Sequence, residues 1–135
     1  MKKVKVGING FGRIGRQVFR ALNKSYRDRV EVVAINDLFD AETNFHLAEY
    51  DSVYGRAFLD AKVNGTEVSV GDWNIHCFAE RDPKQLAWGA HDVDVVVEST
   101  GIFRTAPQAG VHLDNGAKKV IISAPSADAP MFVEA

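Results

Sequence analysis

At 135 residues the chain has the length of one ordinary domain, enough to bury about two-thirds of the surface that its unfolded form exposes. Its 46% apolar and 25% charged residues match a globular protein and exclude a disordered or fibrous one. A formal net charge of −2 argues against non-specific attraction to nucleic acid or anionic membrane, and the single cysteine, Cys77, excludes an internal disulfide and a multi-cysteine metal cluster. A lone thiol suits a reducing compartment, so a cytoplasmic protein is expected. After Lys3 the apolar stretch from Val4 to Ile8 is broken by Lys5 and Gly7, too short for a signal-peptide core or a membrane span.

Val4, Val6 and Ile8 alternate with Lys5 and Gly7, which predicts a first strand ending at the glycine cluster Gly10 to Gly15. Ile14, Val18, Ala21 and Leu22 recur at helical spacing and predict a helix to about Lys24. The apolar run of Val30 and Val32 to Ile35 is expected of a strand buried on both faces of a parallel sheet, closing a βαβ unit at Asn36. A second helix is predicted over 40–50, with Asp40 as its N-cap. Between about 53 and 80 the texture changes to short β-like pieces, with turns at Asn64-Gly65 and Gly71-Asp72, which predicts a small antiparallel insertion. Asp82-Pro83 is read as opening a short helix through Leu86 and Trp88 that Gly89 stops. Val93 to Val97 predicts another buried strand, followed by the turn Ser99-Thr100-Gly101 and a helix over about 105–115 with Gly116 at its C-cap. A strand over 118–123, a loop over 124–130 and the beginning of a strand at 131–133 complete the chain. The alternation of strands and helices predicts an α/β fold, a Rossmann-type doubly wound, mostly parallel sheet, as one domain over 1–135 with neither internal repeat nor second domain.

Gly10-Phe11-Gly12-Arg13-Ile14-Gly15 fits GxGxxG directly after a strand and at the opening of a helix, the context in which that motif has a mechanism. Gly10 makes the tight turn, Gly12 lets the backbone approach a pyrophosphate, and Gly15 lets the helix pack against the strand. The N–H groups near Arg13 and Ile14 then face the phosphates at the positive end of the helix dipole. The plainer alternative is a glycine turn that merely closes a βα unit. Asp37 stands 22 positions after Gly15, at the end of the second strand, where an acidic side chain accepts hydrogen bonds from adenosine ribose hydroxyls. A 2′-phosphate would meet that carboxylate as a like charge, so NAD is expected rather than NADP. Asp37 as a turn former or helix cap is the alternative. Ser99-Thr100-Gly101 and Ser123-Ala124 lie at further strand ends and open onto the same crevice, or are ordinary turns. Cys77 sits inside a predicted strand without a helix N-terminus to activate it and reads as a small core hydrophobe. His46, His76, His91 and His112 show no metal-ligand spacing and read as solvated or hydrogen-bonded structural residues. No catalytic set is visible and no metal is expected.

The stretches from Val6 to Arg16, Ala34 to Asp37, Tyr50 to Ser52, Glu80 to Pro83, Glu98 to Gly101 and Ile122 to Pro130 are similar, in order, to successive motifs of one family. Over essentially its whole length the chain resembles the N-terminal half of glyceraldehyde-3-phosphate dehydrogenase. Erythrose-4-phosphate dehydrogenase is a near relative, but usually carries Glu where this chain has Asp37. The resemblance implies pyrophosphate contacts from Arg13 and Ile14, ribose contact from Asp37, adenine-side contact through the backbone of Arg81, and nicotinamide-side contact from Ser123. Thr100 and Phe103 are expected along the same groove, and Asn9, Gly10, Gly12, Asn36 and Ser99 complete the expected cofactor-binding set. The family's nucleophilic cysteine, its catalytic histidine and its substrate phosphate sites all follow the point where this sequence stops, so no catalytic residue is assigned.

The expected function is therefore an NAD-binding module of a phosphorylating aldehyde dehydrogenase, inactive alone, whose full enzyme oxidises glyceraldehyde 3-phosphate with NAD and phosphate. The chain is expected to be truncated before the catalytic domain, with self-association through surface exposed by that truncation. Two alternatives stand beside it: a non-catalytic adenine-nucleotide or RNA-binding module, against which the net charge argues, and an isolated Rossmann domain that keeps the fold without activity.

Overall fold

The computed structural model describes residues 3–37, 61–80, 86–100, 110–122 and 132–134. Among these the strands are β1 (Val4–Asn9), β2 (Val30–Asn36), β3 (Ala61–Asn64), β4 (Glu67–Val70), β5 (Trp73–Phe78), β6 (Val95–Glu98), β7 (Lys119–Ile122) and β8 (Phe132–Glu134). They form one sheet in the order β3-β4-β5-β2-β1-β6-β7-β8. The five strands from β5 to β7 in that order run parallel, while β3 and β4 on one edge and β8 on the other pair antiparallel. This is the doubly wound, mostly parallel sheet that the sequence predicts. Chain order departs from β1 in both directions, to β2 on one side and β6 on the other, and that reversal opens a crevice at the carboxyl ends of the strands.

Helix α1 (Arg13–Ser25) covers one face and a 3-10 turn (Trp88–His91) with the short α2 (Val111–Asp114) lies on the other. Both faces are therefore dry, which is why the central strands read as nearly unbroken apolar runs. On the α1 side Val6, Ile8, Phe19, Val32, Trp73 and Ile75 pack as one cluster; Ala34, Trp88, Val93, Val96 and Val120 form the cluster behind. Phe19 stands edge-on to both Phe11 and Trp73, with centroids 5.7 Å away in each case. Gly7 is where Trp88 crosses β1: a Cβ there would lie 2.7 Å from the indole ring. Arg27, just beyond α1, stacks 4.2 Å over Trp73 and donates to Val70 O (2.9 Å), to Asp72 Oδ1 (2.6 Å) and to Asn23, tying the helix to the β4–β5 turn.

The expected small antiparallel insertion is present as β3 and β4, and it joins the parallel sheet through β5, which pairs antiparallel with β4 on one side and parallel with β2 on the other. Two readings change. Leu86 and Ala87 are not helical, and Gly89 lies inside the 3-10 turn rather than stopping it; the left-handed C-cap is Asp92, φ 57°. Close packing makes its demand on Gly116 rather than on Gly89: a Cβ on Gly116 would fall 2.6 Å from Gly89 Cα, whereas one on Gly89 would lie 3.4 Å from Gly116 Cα. Gly116, φ 107°, does end α2 as expected, with its N–H donating to Leu113 O. The helix over 40–50, the Asp82-Pro83 helix start, the first part of the helix over 105–115 and the loop over 124–130 fall outside the described residues.

Candidate functional site

The glycine turn sits at the carboxyl end of β1, where strand order reverses. Gly10 donates its N–H to Asn36 O (2.8 Å) and has φ 94°, a backbone conformation that L side chains rarely adopt. A Cβ at Gly10 would lie 2.8 Å from both Thr100 N and Thr100 Cγ2, and one at Gly15 would lie 2.1 Å from Gly10 O. Gly12 is different: a Cβ there meets nothing within 4 Å. Two glycines are needed for packing, and the third faces open space.

Gly12 is also the N-cap of α1. No side chain caps this end and no acidic residue stands in its first turn. The helix's first backbone bond runs from Arg16 N–H to Gly12 O (2.9 Å), so the amides of residues 13 to 15 precede the first helical acceptor. The turn is braced from both sides, by Arg16 Nη1 donating to Phe11 O (3.0 Å) and by Phe11 N–H donating to Asp37 Oδ1 (3.2 Å). The result is an uncapped helix terminus with room above its glycine, and it carries the partial positive charge that favours an anion.

Beneath the turn lies a buried polar network. Glu98, at the end of β6, is 1% exposed, and its two oxygens accept from Asn9 Nδ2 (2.8 Å), Thr100 N (3.1 Å), Thr100 Oγ1 (2.5 Å) and His112 Nε2 (2.5 Å). Trp88 Nε1 donates to His112 Nδ1 (3.0 Å), and Asn36 Nδ2 donates to Asn9 Oδ1 (2.7 Å). Sequence reasoning missed this group. The available signal was an acidic residue placed immediately after the valine run Val95 to Val97, where a charge needs converging donors.

The structure brings Asn9, Gly10, Gly12, Ile14, Asn36, Asp37, Ser99 and Thr100 to this one end of the sheet. Asn9 and Asn36 are buried, at 3% and 6% exposure, with their amides bonded to protein partners, so their side chains support the groove from below. Ser99 turns its hydroxyl to Gly10 O (2.6 Å) and Thr100 turns its own to Glu98. Ile14 stands 42% exposed beside the helix terminus. Arg81, Phe103, Ser123 and the side chain of Arg13 fall outside the described residues.

Cys77 is 8% exposed within β5, and burial foremost, with the Glu67 charge added, pushes its thiol pKa up to about 12. Held as a neutral thiol, it is a core residue, as the sequence suggests. His112 is a hydrogen-bonded structural residue, and His76 pairs with Glu67 (2.7 Å) while stacking on His91. Among the described residues, no group of three His, Cys, Asp or Glu side chains is placed to hold a metal ion, and no helix is long and apolar enough to cross a membrane.

A doubly wound sheet with a glycine turn and an open helix terminus at its switch point defines a dinucleotide-binding domain. Comparison with known proteins makes this specific: a profile described as glyceraldehyde 3-phosphate dehydrogenase, NAD binding domain, matches residues 4–106, and the chain belongs to that family. Its cofactor is NAD. Among similar proteins, glyceraldehyde-3-phosphate dehydrogenase of Priestia megaterium is 57% identical over 125 residues, 93% of this chain and 37% of the relative. That of Geobacillus stearothermophilus is 58% identical over 123 residues (91% and 36%), and that of Ajellomyces capsulatus 53% over 132 residues (96% and 38%). The chain spans little more than a third of the length of these relatives.

Proposed function

We propose that this chain holds NAD across the amino end of α1, with the diphosphate on the backbone amides of Arg13 and Ile14 and the adenosine ribose hydroxyls on the Asp37 carboxylate. The observation that carries this reading is Gly12, an N-cap in open space above an uncapped helix terminus. Asp37 supports it by lying within hydrogen-bond distance of Phe11, between the second strand and the turn. In the same reading Asn9, Gly10, Asn36, Ser99 and Thr100 form the floor of the groove, Phe103 lines it, the backbone of Arg81 meets the adenine side, and Ser123 meets the nicotinamide side. Bound NAD supplies a hydride acceptor. The complete protein, we propose, performs the reaction for which its relatives are named, oxidising glyceraldehyde 3-phosphate with NAD and phosphate, in the cytoplasm. Nucleic acid is not proposed as a partner, given the net charge of −2.

Calorimetric titration of NAD and NADP into the chain and into Asp37→Asn tests this. Asn keeps an oxygen for the Phe11 N–H and removes the charge. Saturable NAD binding, at least tenfold weaker NADP binding and a narrowed gap in the variant are expected. Equal affinity for both cofactors would overturn the ribose role of Asp37, and binding of neither would overturn the reading.

A further inference from the structure

We propose that Glu98 is the positioning residue of the cofactor groove, a buried carboxylate that fixes the Gly10 turn by holding Asn9 on one side of it and Thr100 on the other. This rests on the reading above, that the turn carries the NAD diphosphate. The geometry is direct. Asn9 immediately precedes Gly10, and Thr100 is the residue a Gly10 Cβ would strike, at 2.8 Å from its N and from its Cγ2. Asn9 donates to Glu98 Oε2, while Thr100 donates twice to Oε1. One carboxylate thus spans the gap between the β1 turn and the β6 turn.

The protons of this network run in one direction only. Indole N–H is a donor without an acceptor, so His112 Nδ1 must accept from Trp88, and the ring proton sits on Nε2 facing Glu98. At the far end the backbone N–H of Glu80 donates to Asn36 Oδ1 (2.9 Å). That bond orients the Asn36 amide so that Nδ2 faces Asn9 Oδ1, which in turn aims Asn9 Nδ2 at Glu98. Thr100 N–H is likewise irreversible. Every chain of donors therefore ends on Glu98, which acts as an all-acceptor hub beneath the groove. An amide in its place meets a fixed donor in either orientation: Thr100 N–H at the Oε1 position, or Asn9 Nδ2 and His112 Nε2 at the Oε2 position. Burial makes such a donor–donor contact expensive, so the turn must shift to relieve it.

Glu98→Gln, nearly isosteric, is the test, with three readouts at a temperature where the chain is folded: NAD titration, thermal melting, and the amide resonances of Gly10 and Gly12. Expected are NAD affinity reduced at least tenfold, displaced turn amides, and movement of the Trp88 indole resonance. Affinity within twofold of the unsubstituted chain with unmoved turn amides, whatever the melting temperature, would reduce Glu98 to a core group and overturn the proposal. Should Glu98→Gln fail to fold, Thr100→Val carries the test, since it keeps the shape against Gly10 and deletes one donor. A fivefold or greater loss of affinity is expected of it, and parental affinity would overturn the proposal. If the unsubstituted chain binds no NAD, the reading of function falls separately, and the amides of Gly10 and Gly12 decide: displaced in Glu98→Gln, they uphold the positioning role, and unmoved, they refute it.

Discussion

Substituting alanine for each glycine of the turn separates folding from cofactor binding. Gly12 has φ −79° and ψ −158°, ordinary extended backbone for an L-residue, and its added methyl meets nothing within 4 Å. Two small terms oppose one another: alanine is a poorer N-cap than glycine, by about 0.5–1 kcal/mol, and restricting the unfolded chain returns about 0.4–1 kcal/mol. Gly12→Ala should therefore melt close to the unsubstituted chain. Against the diphosphate, the same methyl stands between phosphate oxygens and backbone amides whose charge-assisted hydrogen bonds are worth about 1.5–3 kcal/mol each. Losing one or weakening two gives a drop in NAD affinity of about 10- to 100-fold. Gly15→Ala forces a Cβ to 2.1 Å from Gly10 O, a backbone atom that cannot swing aside, and Gly10→Ala meets both a positive φ and Thr100 N at 2.8 Å. Those two should lose at least about 3 kcal/mol of stability, from overpacking and left-handed strain combined. Thermal melts with calorimetric titration of all three variants check this. Parental NAD binding by Gly12→Ala would show that the diphosphate does not lie on this turn, and a parental melt for Gly15→Ala would refute the packing argument.

Cys77 should resist thiol reagents at pH 8 until the chain is unfolded. Because its folded pKa is raised, from 9.0 to about 12, stability is fully present below pH 9 and declines as pH rises toward 12; Cys77→Ala should flatten that alkaline limb in pH-dependent melts. Arg27→Ala should cost about 1–3 kcal/mol in denaturant melts by removing the stack on Trp73 and the bond to Val70 O. The Arg27 guanidinium foremost, with a backbone hydrogen bond and the Lys3 charge, holds Asp72 below its usual pKa of 3.8, so this small contribution is present above pH 3.8 and fades as pH falls further; Arg27→Ala should weaken that acid dependence.

The parallel strands were legible because burial on both faces removes polar residues from their centres: Val32 to Ile35 and Val95 to Val97 announce themselves by composition alone. The turn was legible because Gly10 and Gly15 answer steric demands at fixed spacing, with Gly12 between them in open space. Gly89 misled, since a glycine that ends a helix and one inside a 3-10 turn look alike in sequence; the left-handed residue that closes this turn is Asp92. The Glu98 network was hidden for a related reason. Its members are drawn from positions 9, 36, 80, 88, 98, 100 and 112, and no local pattern records that their side chains converge. Cys77 was read as core because nothing beside it could stabilise a thiolate.

Strand β1 is completed from two very different distances. Its partner β2 begins at Val30, whereas β6 begins only at Val95, and Lys5 N–H bonds Asp94 across 89 residues of chain. At a ribosome adding about 5–20 residues per second, the edge of β1 that β6 will occupy stays unpaired for several seconds after β2 has emerged. Throughout that interval Ser99 and Thr100 are not yet available to close around Gly10. A nascent chain therefore holds an apolar, hydrogen-bond-hungry ribbon before it holds a groove, and a chaperone that shields this ribbon would be needed most between the emergence of the second strand and the sixth.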